Sequence, residues 1–242
     1  MTSSLDPWPA LRSLTPARIG LGRSGHALPT AAVLAFAADH AAARDAVHDE
    51  LDTELLTGQL GGQALVVASA APDRATYLQR PDLGRTLSTS SRAALTPSHH
   101  DVVFVLADGL SARAVHEHAV AVMAATVDQL RGNTVGPAVL ARQARVALGD
   151  EVAVLVGASL VVMLIGERPG LSSANSLSAY TTYAPRLRVP DSRRSCISNI
   201  RPDAGLSVAA ASAQLAHLIR ASLEQQTSGI GLRLEPPSAI NP

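Results

Sequence analysis

Residues 101–111 read Asp-Val-Val-Phe-Val-Leu-Ala-Asp-Gly-Leu-Ser, and this stretch decides the fold class. The run after Asp101 is apolar without the polar alternation of a strand that has one face in water, which is typical of a parallel sheet covered on both faces. Gly109 then marks a turn, and Ser111 is placed to cap a helix that we predict over 111–131. A ligand contact is the alternative for 108–111, because N–H groups at a helix start can hold a phosphate or an amide oxygen.

Similar apolar runs recur along the chain and alternate with helical patterns. We predict strands at 64–69, 101–107, 137–142 and 160–165, with a weaker strand at 179–183. We predict helices at 31–51, 111–131, 150–156 and 206–225. This order of elements predicts an α/β fold with a mostly parallel sheet.

Composition divides the chain into three parts. Residues 1–62 form an extended arm rich in Pro and Gly, followed by a helix, and residues 63–228 form the α/β domain. Residues 229–242 are predicted to be a flexible tail.

The charged and aromatic residues exclude several function classes. All 20 basic residues are arginine and balance 20 acidic residues, so the formal net charge is zero. Without lysine the chain has neither a Schiff-base lysine nor a Walker A motif. The absence of a basic stripe, together with only 2% aromatic residues, argues against binding to nucleic acid.

The single cysteine and the short apolar runs indicate the cellular compartment in which the protein is expected. Cys196 can form no disulfide within the chain, and residues 1–14 lack the pattern of a signal peptide. No apolar run approaches the ~20 residues that span a bilayer. We therefore expect a cytoplasmic protein without a membrane segment.

Polar segments follow the predicted strands, at the sheet edge where open α/β folds bind ligands. They are residues 108–111, 143–150 and 166–170, and the long loop predicted at 186–202 could fold over the same edge. The segment 166–170 places the carboxylate of Glu167 and the guanidinium of Arg168 directly after a buried strand. An ion pair between these two side chains that closes the turn is the alternative to ligand binding.

Cysteine and histidine provide no recognisable catalytic or metal site. A Cys196 nucleophile would need a histidine partner, and none of the eight histidines stands in a nucleophile motif. Two histidine groups, His99-His100 and His116/His118, are expected to lie in a solvated loop and on a solvated helix face. We predict no catalytic residue and no metal ligand in this chain.

Several runs together resemble the small subunit family of adenosylcobalamin-dependent ethanolamine ammonia-lyase. They follow one another in family order over about residues 15–232. The most specific pair is Gly-Glu-Arg-Pro-Gly-Leu at 166–171 and Cys-Ile-Ser-Asn-Ile at 196–200. The others are TPARIGLGRSG at 15–25, ADHA at 38–41, YL at 77–78, RPDLGR at 80–85, DGLS at 108–111 and YAPR at 183–186.

The resemblance implies a hetero-oligomeric enzyme built from several large and several small subunits. The large subunit, a TIM barrel, holds ethanolamine and the reacting adenosyl group, and radical chemistry yields acetaldehyde and ammonia. The small subunit has a Rossmann-like α/β domain, here residues 63–228, that covers the cobalamin. The cobalamin contacts implied for this chain are Val146, Glu167 and Cys196, and adenosylcobalamin is the cofactor.

Two departures from the family pattern bear on these expectations. Relatives usually have Gly where this chain has Ala144, so the turn that presents Val146 can differ. Some members begin with an amphipathic helix that directs them to a microcompartment. In this chain Pro7 and Pro9 would interrupt such a helix. We expect a cytoplasmic enzyme, or one that reaches a compartment through its partner, and the arm with Arg18 and Arg23 is a candidate contact with that partner.

Two other functions stay open on the residues alone. One is a non-catalytic nucleotide-binding module that uses the loops at Asp108 and Glu167. The other is a cysteine hydrolase that uses Cys196.

Overall fold

The computed structural model describes residues 7–202 and 204–234. Residues 1–6 of the predicted arm and residues 235–242 of the predicted flexible tail lie outside the described residues. The first residues of that tail, Gly229–Gly231, form a 3-10 turn.

Six strands and nine α-helices make up the described part of the chain. The strands are β1 (Ala64–Ala68), β2 (Val102–Ala107), β3 (Ala138–Arg142), β4 (Leu160–Gly166), β5 (Leu177–Tyr183) and β6 (Arg194–Ile200). The helices are α1 (Trp8–Arg12), α2 (Thr30–His48), α3 (Thr53–Gln59), α4 (Arg74–Gln79), α5 (Thr89–Ala94), α6 (Ala112–Ala114), α7 (Val120–Val127), α8 (Leu148–Val156) and α9 (Val208–Gln225). None of the described helices is both long and apolar enough to cross a membrane.

The strands form one sheet in the order β1-β3-β2-β4-β5-β6. The first four strands in this order run parallel, whereas β5 is antiparallel to β4 and β6 is antiparallel to β5. The predicted α/β class with a mostly parallel sheet is thus confirmed.

Alternate residues of the central strands pack into two separate cores. On one face, Phe104 and Val162 pack with residues of α7 and α9. On the other face, Val105 and Met163 pack with residues of α8. Covering both faces explains why the sequence of β2 has no polar alternation.

Two sequence predictions about individual elements need correction. The helix predicted at 111–131 contains a π-helical turn at Val115–Ala119 and ends at Val127. The prediction of a loop over 186–202 was wrong, because the second half of this segment is the edge strand β6. Its polar composition hides the strand pattern, since only Ile197 and Ile200 are buried there. They face the α9 core, and a register shift in the pairing with β5 interrupts the period of two.

The connections after β2 and β3 lead to opposite faces of the sheet, which leaves a crevice at the carboxyl ends of these neighbouring strands. The carboxylate of Asp108, which follows β2, is 2% exposed and holds this crevice in shape. It accepts hydrogen bonds from the backbone N–H of Gln143 at 2.7 Å and of Ala144 at 3.0 Å. It also pairs with the guanidinium of Arg74 on α4, with Nη1 and Oδ2 3.2 Å apart. One side chain therefore ties together the loops after β1, β2 and β3.

The ends of β2 and β4 approach each other too closely for a side chain. A Cβ atom on Gly166 would lie 2.0 Å from the carbonyl oxygen of Ser111. Leu110 donates its backbone N–H to the Gly166 carbonyl at 3.0 Å, and Gly109 adopts a left-handed conformation with φ of +53°. Ser111 caps α6 through its Oγ, as predicted, by accepting from the N–H of Ala114 at 3.2 Å. The segment 108–111 is therefore a tight turn and a helix cap.

The Asp108 interaction gives a stability prediction. Asp108→Asn removes the charge that faces the buried Arg74 guanidinium, and we expect the free energy of unfolding to fall by about 3–5 kcal/mol. Urea unfolding followed by circular dichroism measures this difference. Asp82→Asn is the matched control, because Asp82 pairs with Arg80 at the surface and should leave the midpoint unchanged. A wild-type midpoint for Asp108→Asn would contradict the prediction.

Candidate functional site

Two adjoining clefts lie at the carboxyl ends of the parallel strands and continue over the sheet surface of β5 and β6. The first cleft has a volume of about 620 Å³. The second cleft has a volume of about 280 Å³. Both are lined by Arg145, Val146 and Tyr180, so the two clefts form one continuous surface.

Val146 lines both clefts and lies in the chain between the end of β3 and the start of α8. The Tyr77 hydroxyl donates to the Ala144 carbonyl at 2.9 Å, and the N–H of Arg145 donates to the Gly84 carbonyl at 2.8 Å. Both bonds fix the segment that presents Val146. The left-handed residue of this turn is Gln143, with φ of +55°, and not Ala144. An alanine at 144 is therefore compatible with the turn.

Glu167 lines the second cleft directly after β4. Its Oε1 accepts from the Ser178 hydroxyl at 2.5 Å and from the backbone N–H of Asn199 at 2.8 Å. Asn199 has φ of +58° and lies in the irregular part of β6, which turns its N–H toward Glu167. Within 7–202 and 204–234, Oε2 accepts no hydrogen bond, and Arg168 does not pair with Glu167. The turn-closing ion pair weighed for these two residues is therefore absent.

Cys196 lines the first cleft from the edge strand β6. It pairs across the strands with Tyr180 of β5, so the two side chains are neighbours on one face of the sheet. The protein around the thiol partly removes it from water, which raises the pKa of Cys196 above its usual value, and the nearby Glu167 charge acts in the same direction. Burial also raises the pKa of Tyr180, to about 12. Both groups are neutral at pH 7.

The two antiparallel strands at one end of the sheet, β5 and β6, explain how these residues meet. On one face of β5 and β6, Leu177 and Ile197 pack under α9. On the other face, Tyr180 and Cys196 line the clefts beside the start of α8, and Cys196 stays exposed. An antiparallel pair can leave one face open in this way, whereas the parallel strands are covered on both.

The structure brings Val146, Glu167 and Cys196 to this one surface. Val146 belongs to both clefts, Cys196 to the first and Glu167 to the second. Their positions follow from three different elements, namely the loop after β3, the loop after β4 and the edge strand β6.

The histidines remain outside this surface. His99 and His100 precede β2 at the opposite edge of the sheet. His116 accepts a hydrogen bond from the Asp52 N–H at 2.9 Å, while His118 is buried and does not lie on a solvated helix face as expected. Throughout residues 7–202 and 204–234, no group of three or more His, Cys, Asp or Glu side chains could hold a metal ion.

Sequence reasoning overlooked three residues that line the clefts. Arg145 and Tyr180 line both clefts, and Arg85 lines the first. Arg145 and Arg85 stand in runs quoted above, but nothing in the sequence distinguishes them from surface arginines. Tyr180 lies in the strand that seemed weakest, and its role depends on the pairing of β5 with β6.

Comparison with known proteins agrees with the motifs. The family described as "Ethanolamine ammonia-lyase light chain" matches residues 5–233. The ethanolamine ammonia-lyase small subunit of Ralstonia nicotianae is 51% identical over 243 residues, covering 96% of this chain and 90% of the relative. The small subunit from Pseudomonas syringae pv. tomato is 49% identical, covering 95% of this chain and 84% of the relative. That from Pseudomonas putida strain W619 is 51% identical, covering 95% and 88%. This chain therefore belongs to the ethanolamine ammonia-lyase light chain family.

Proposed function

We propose that this chain is the small subunit of an adenosylcobalamin-dependent ethanolamine ammonia-lyase and forms one half of its cofactor site. The observation that carries the proposal is the continuous surface on which Val146, Glu167 and Cys196 meet. These are the three positions that the resemblance marks as cobalamin contacts. The assembled enzyme converts ethanolamine to acetaldehyde and ammonia.

The chemistry of the surface fits a corrin. The rim of a corrin carries amide groups, whose N–H donors need acceptors and whose carbonyls need donors. Glu167 Oε2 is an acceptor that the described protein leaves without a donor, so it can accept from a rim amide. Val146, which lines both clefts, supplies an apolar side chain that can pack on the macrocycle.

This chain's residues bind and orient the cofactor, and the partner subunit holds the substrate. When bound, adenosylcobalamin supplies a carbon-centred radical for hydrogen abstraction from the substrate. Glu167 is held in one rotamer by Ser178 and Asn199, so its free oxygen has a fixed direction. Tyr180 and Cys196, both neutral at pH 7, line the surface without adding charge to it.

The partner is the large subunit, which covers the cofactor from the other side and excludes water from the radical. We assign residues 63–228 to the cobalamin-covering domain and residues 1–62 to docking. Arg18 pairs with Asp39 and lies 5.7 Å from the Phe36 ring centroid, so it braces the arm against α2. The exposed side chains of Leu34 and Phe36 on α2 supply apolar area for this contact.

Neither alternative function agrees with the chemistry of these residues. A nucleotide-binding module would use the loops at Asp108 and Glu167. The Asp108 carboxylate is already paired, and the N–H groups of Leu110 and Ser111 are bonded to backbone carbonyls. A cysteine hydrolase would need a thiolate, whereas the pKa of Cys196 is raised and no histidine is among the residues that line either cleft.

The division of labour predicts that the isolated chain is inactive. Purified alone and supplied with adenosylcobalamin and ethanolamine, it should form no acetaldehyde, because the site that binds and orients the substrate is assigned to the large subunit. Adding the large subunit should start turnover in a coupled alcohol dehydrogenase assay. Turnover by the chain alone would contradict the proposal.

Glu167→Gln should weaken cobalamin binding without unfolding the chain. The amide oxygen can still accept from Ser178 and Asn199, while the charged acceptor for the corrin rim is lost. We expect about tenfold weaker binding of cyanocobalamin to the complex with the large subunit. Equilibrium dialysis read by corrin absorbance measures it, with Glu224→Gln, an exposed glutamate on α9, as control. Equal affinity of Glu167→Gln and wild type would count against the contact.

Cys196→Ala separates the cofactor role from a hydrolase. If Cys196 contacts the corrin, the variant loses affinity for adenosylcobalamin, and ethanolamine turnover falls in step with cofactor occupancy. Raising the cofactor concentration should then recover turnover. A variant that keeps full cofactor affinity and loses all activity would instead favour the cysteine nucleophile.

A further inference from the structure

Two arginine side chains on the first cleft have no acidic partner. Arg85 and Arg145 both line this cleft, and within 7–202 and 204–234 neither forms an ion pair. The Nε atom of Arg145 is buried and makes no hydrogen bond there. A buried guanidinium N–H without an acceptor is costly, so this position calls for a ligand that accepts hydrogen bonds.

The fold holds Arg145 in place without using its donors. Its guanidinium carbon lies 4.5 Å from the centroid of the buried Tyr77 ring, in a cation–π contact. Its backbone N–H is bonded to the Gly84 carbonyl, which places Arg145 beside the 3-10 turn Leu83–Arg85. Arg85 follows Gly84 in the chain, so the two arginines flank the same part of the cleft.

The carboxylates that line the first cleft are engaged elsewhere. Asp82 pairs with Arg80 at 2.7 Å. Asp191 pairs with Arg194 at 3.2 Å, and Arg194 also pairs with the buried Asp150 at 2.7 Å. The positive charge of Arg85 and Arg145 therefore remains available to an anion from outside the chain.

We propose that Arg145 and Arg85 form an anion subsite that binds the phosphodiester in the nucleotide loop of cobalamin. The inference rests on the proposed function. The phosphodiester is the anionic group at the periphery of this cofactor, and a guanidinium binds phosphate oxygens with strong, directional hydrogen bonds. The remaining rim groups are neutral amides, which do not need two cations.

The subsite also gives the cofactor a direction along the surface. Arg85 lies only on the first cleft and Glu167 only on the second, with Arg145 and Val146 shared between them. The nucleotide loop then lies toward the 3-10 turn Leu83–Arg85, and the corrin rim extends toward Glu167.

Three corrinoids that differ in the phosphate test the subsite. They are cyanocobalamin, dicyanocobinamide phosphate and dicyanocobinamide, which has no phosphate. Their affinities for the complex of full chain and large subunit are measured by equilibrium dialysis. Arg145→Gln should lower the affinity for the two phosphate-bearing corrinoids about tenfold. It should change the affinity for dicyanocobinamide by less than about twofold. Arg145→Lys, which keeps a charge, should recover part of the loss.

Controls separate this inference from the proposed function. Arg131→Gln, an exposed arginine after α7 at the opposite edge of the sheet, should change none of the affinities. If Arg145→Gln disturbs assembly of the complex, the exposed Arg85 provides a second variant. Arg85→Gln should lower the affinity for the two phosphate-bearing corrinoids severalfold. If Arg145→Gln lowered the affinity for all three corrinoids equally, the anion subsite would be overturned, but the proposed function would not. A wild-type complex that binds no corrinoid would overturn the proposed function, and the subsite with it.

Discussion

The buried carboxylate of Asp108 is the interaction on which the arrangement of the clefts depends. A carboxylate taken out of water must be compensated by donors, and here Arg74 and two backbone N–H groups provide them. Burial raises the pKa of Asp108, while the Arg74 charge and these N–H groups oppose that shift. Satisfying this one group fixes the loop after β3, and that loop carries both Arg145 and Val146. The geometry of the site thus follows from the requirement that a buried charge be paired.

The change from parallel to antiparallel strands produces the surface itself. Parallel strands are joined by helices that cover both faces, so a purely parallel sheet would have only loops at its edge. The strands β5 and β6 follow β4 without a helix on each face, and their open face extends the crevice sideways past Tyr180 and Cys196. The flat cofactor proposed above needs such an extended surface, whereas a mononucleotide fits a crevice at strand ends.

The side chains on this surface suit binding more than reaction. Those that line the clefts include acceptors, donors and apolar groups, but neither a thiolate nor a histidine. Cys196 and Tyr180 are both neutral at pH 7, so neither supplies an anionic nucleophile to this surface.

The sequence by itself determined the α/β class, the parallel core and the family, because apolar strand runs and short motifs are local signals. It also gave the Ser111 cap, which needs only neighbouring residues. The strand β6, the pairing of Tyr180 with Cys196 and the positions of Arg85 and Arg145 on the clefts were decided by the tertiary structure. A polar edge strand has no hydrophobic period of its own, and it forms because β5 offers backbone partners and α9 covers two isoleucines. An arginine whose charge is paired with a carboxylate of the chain has fewer donors left for a ligand than an unpaired one. Whether a carboxylate lies near Arg85 or Arg145 depends on which distant loops meet at one edge of the sheet.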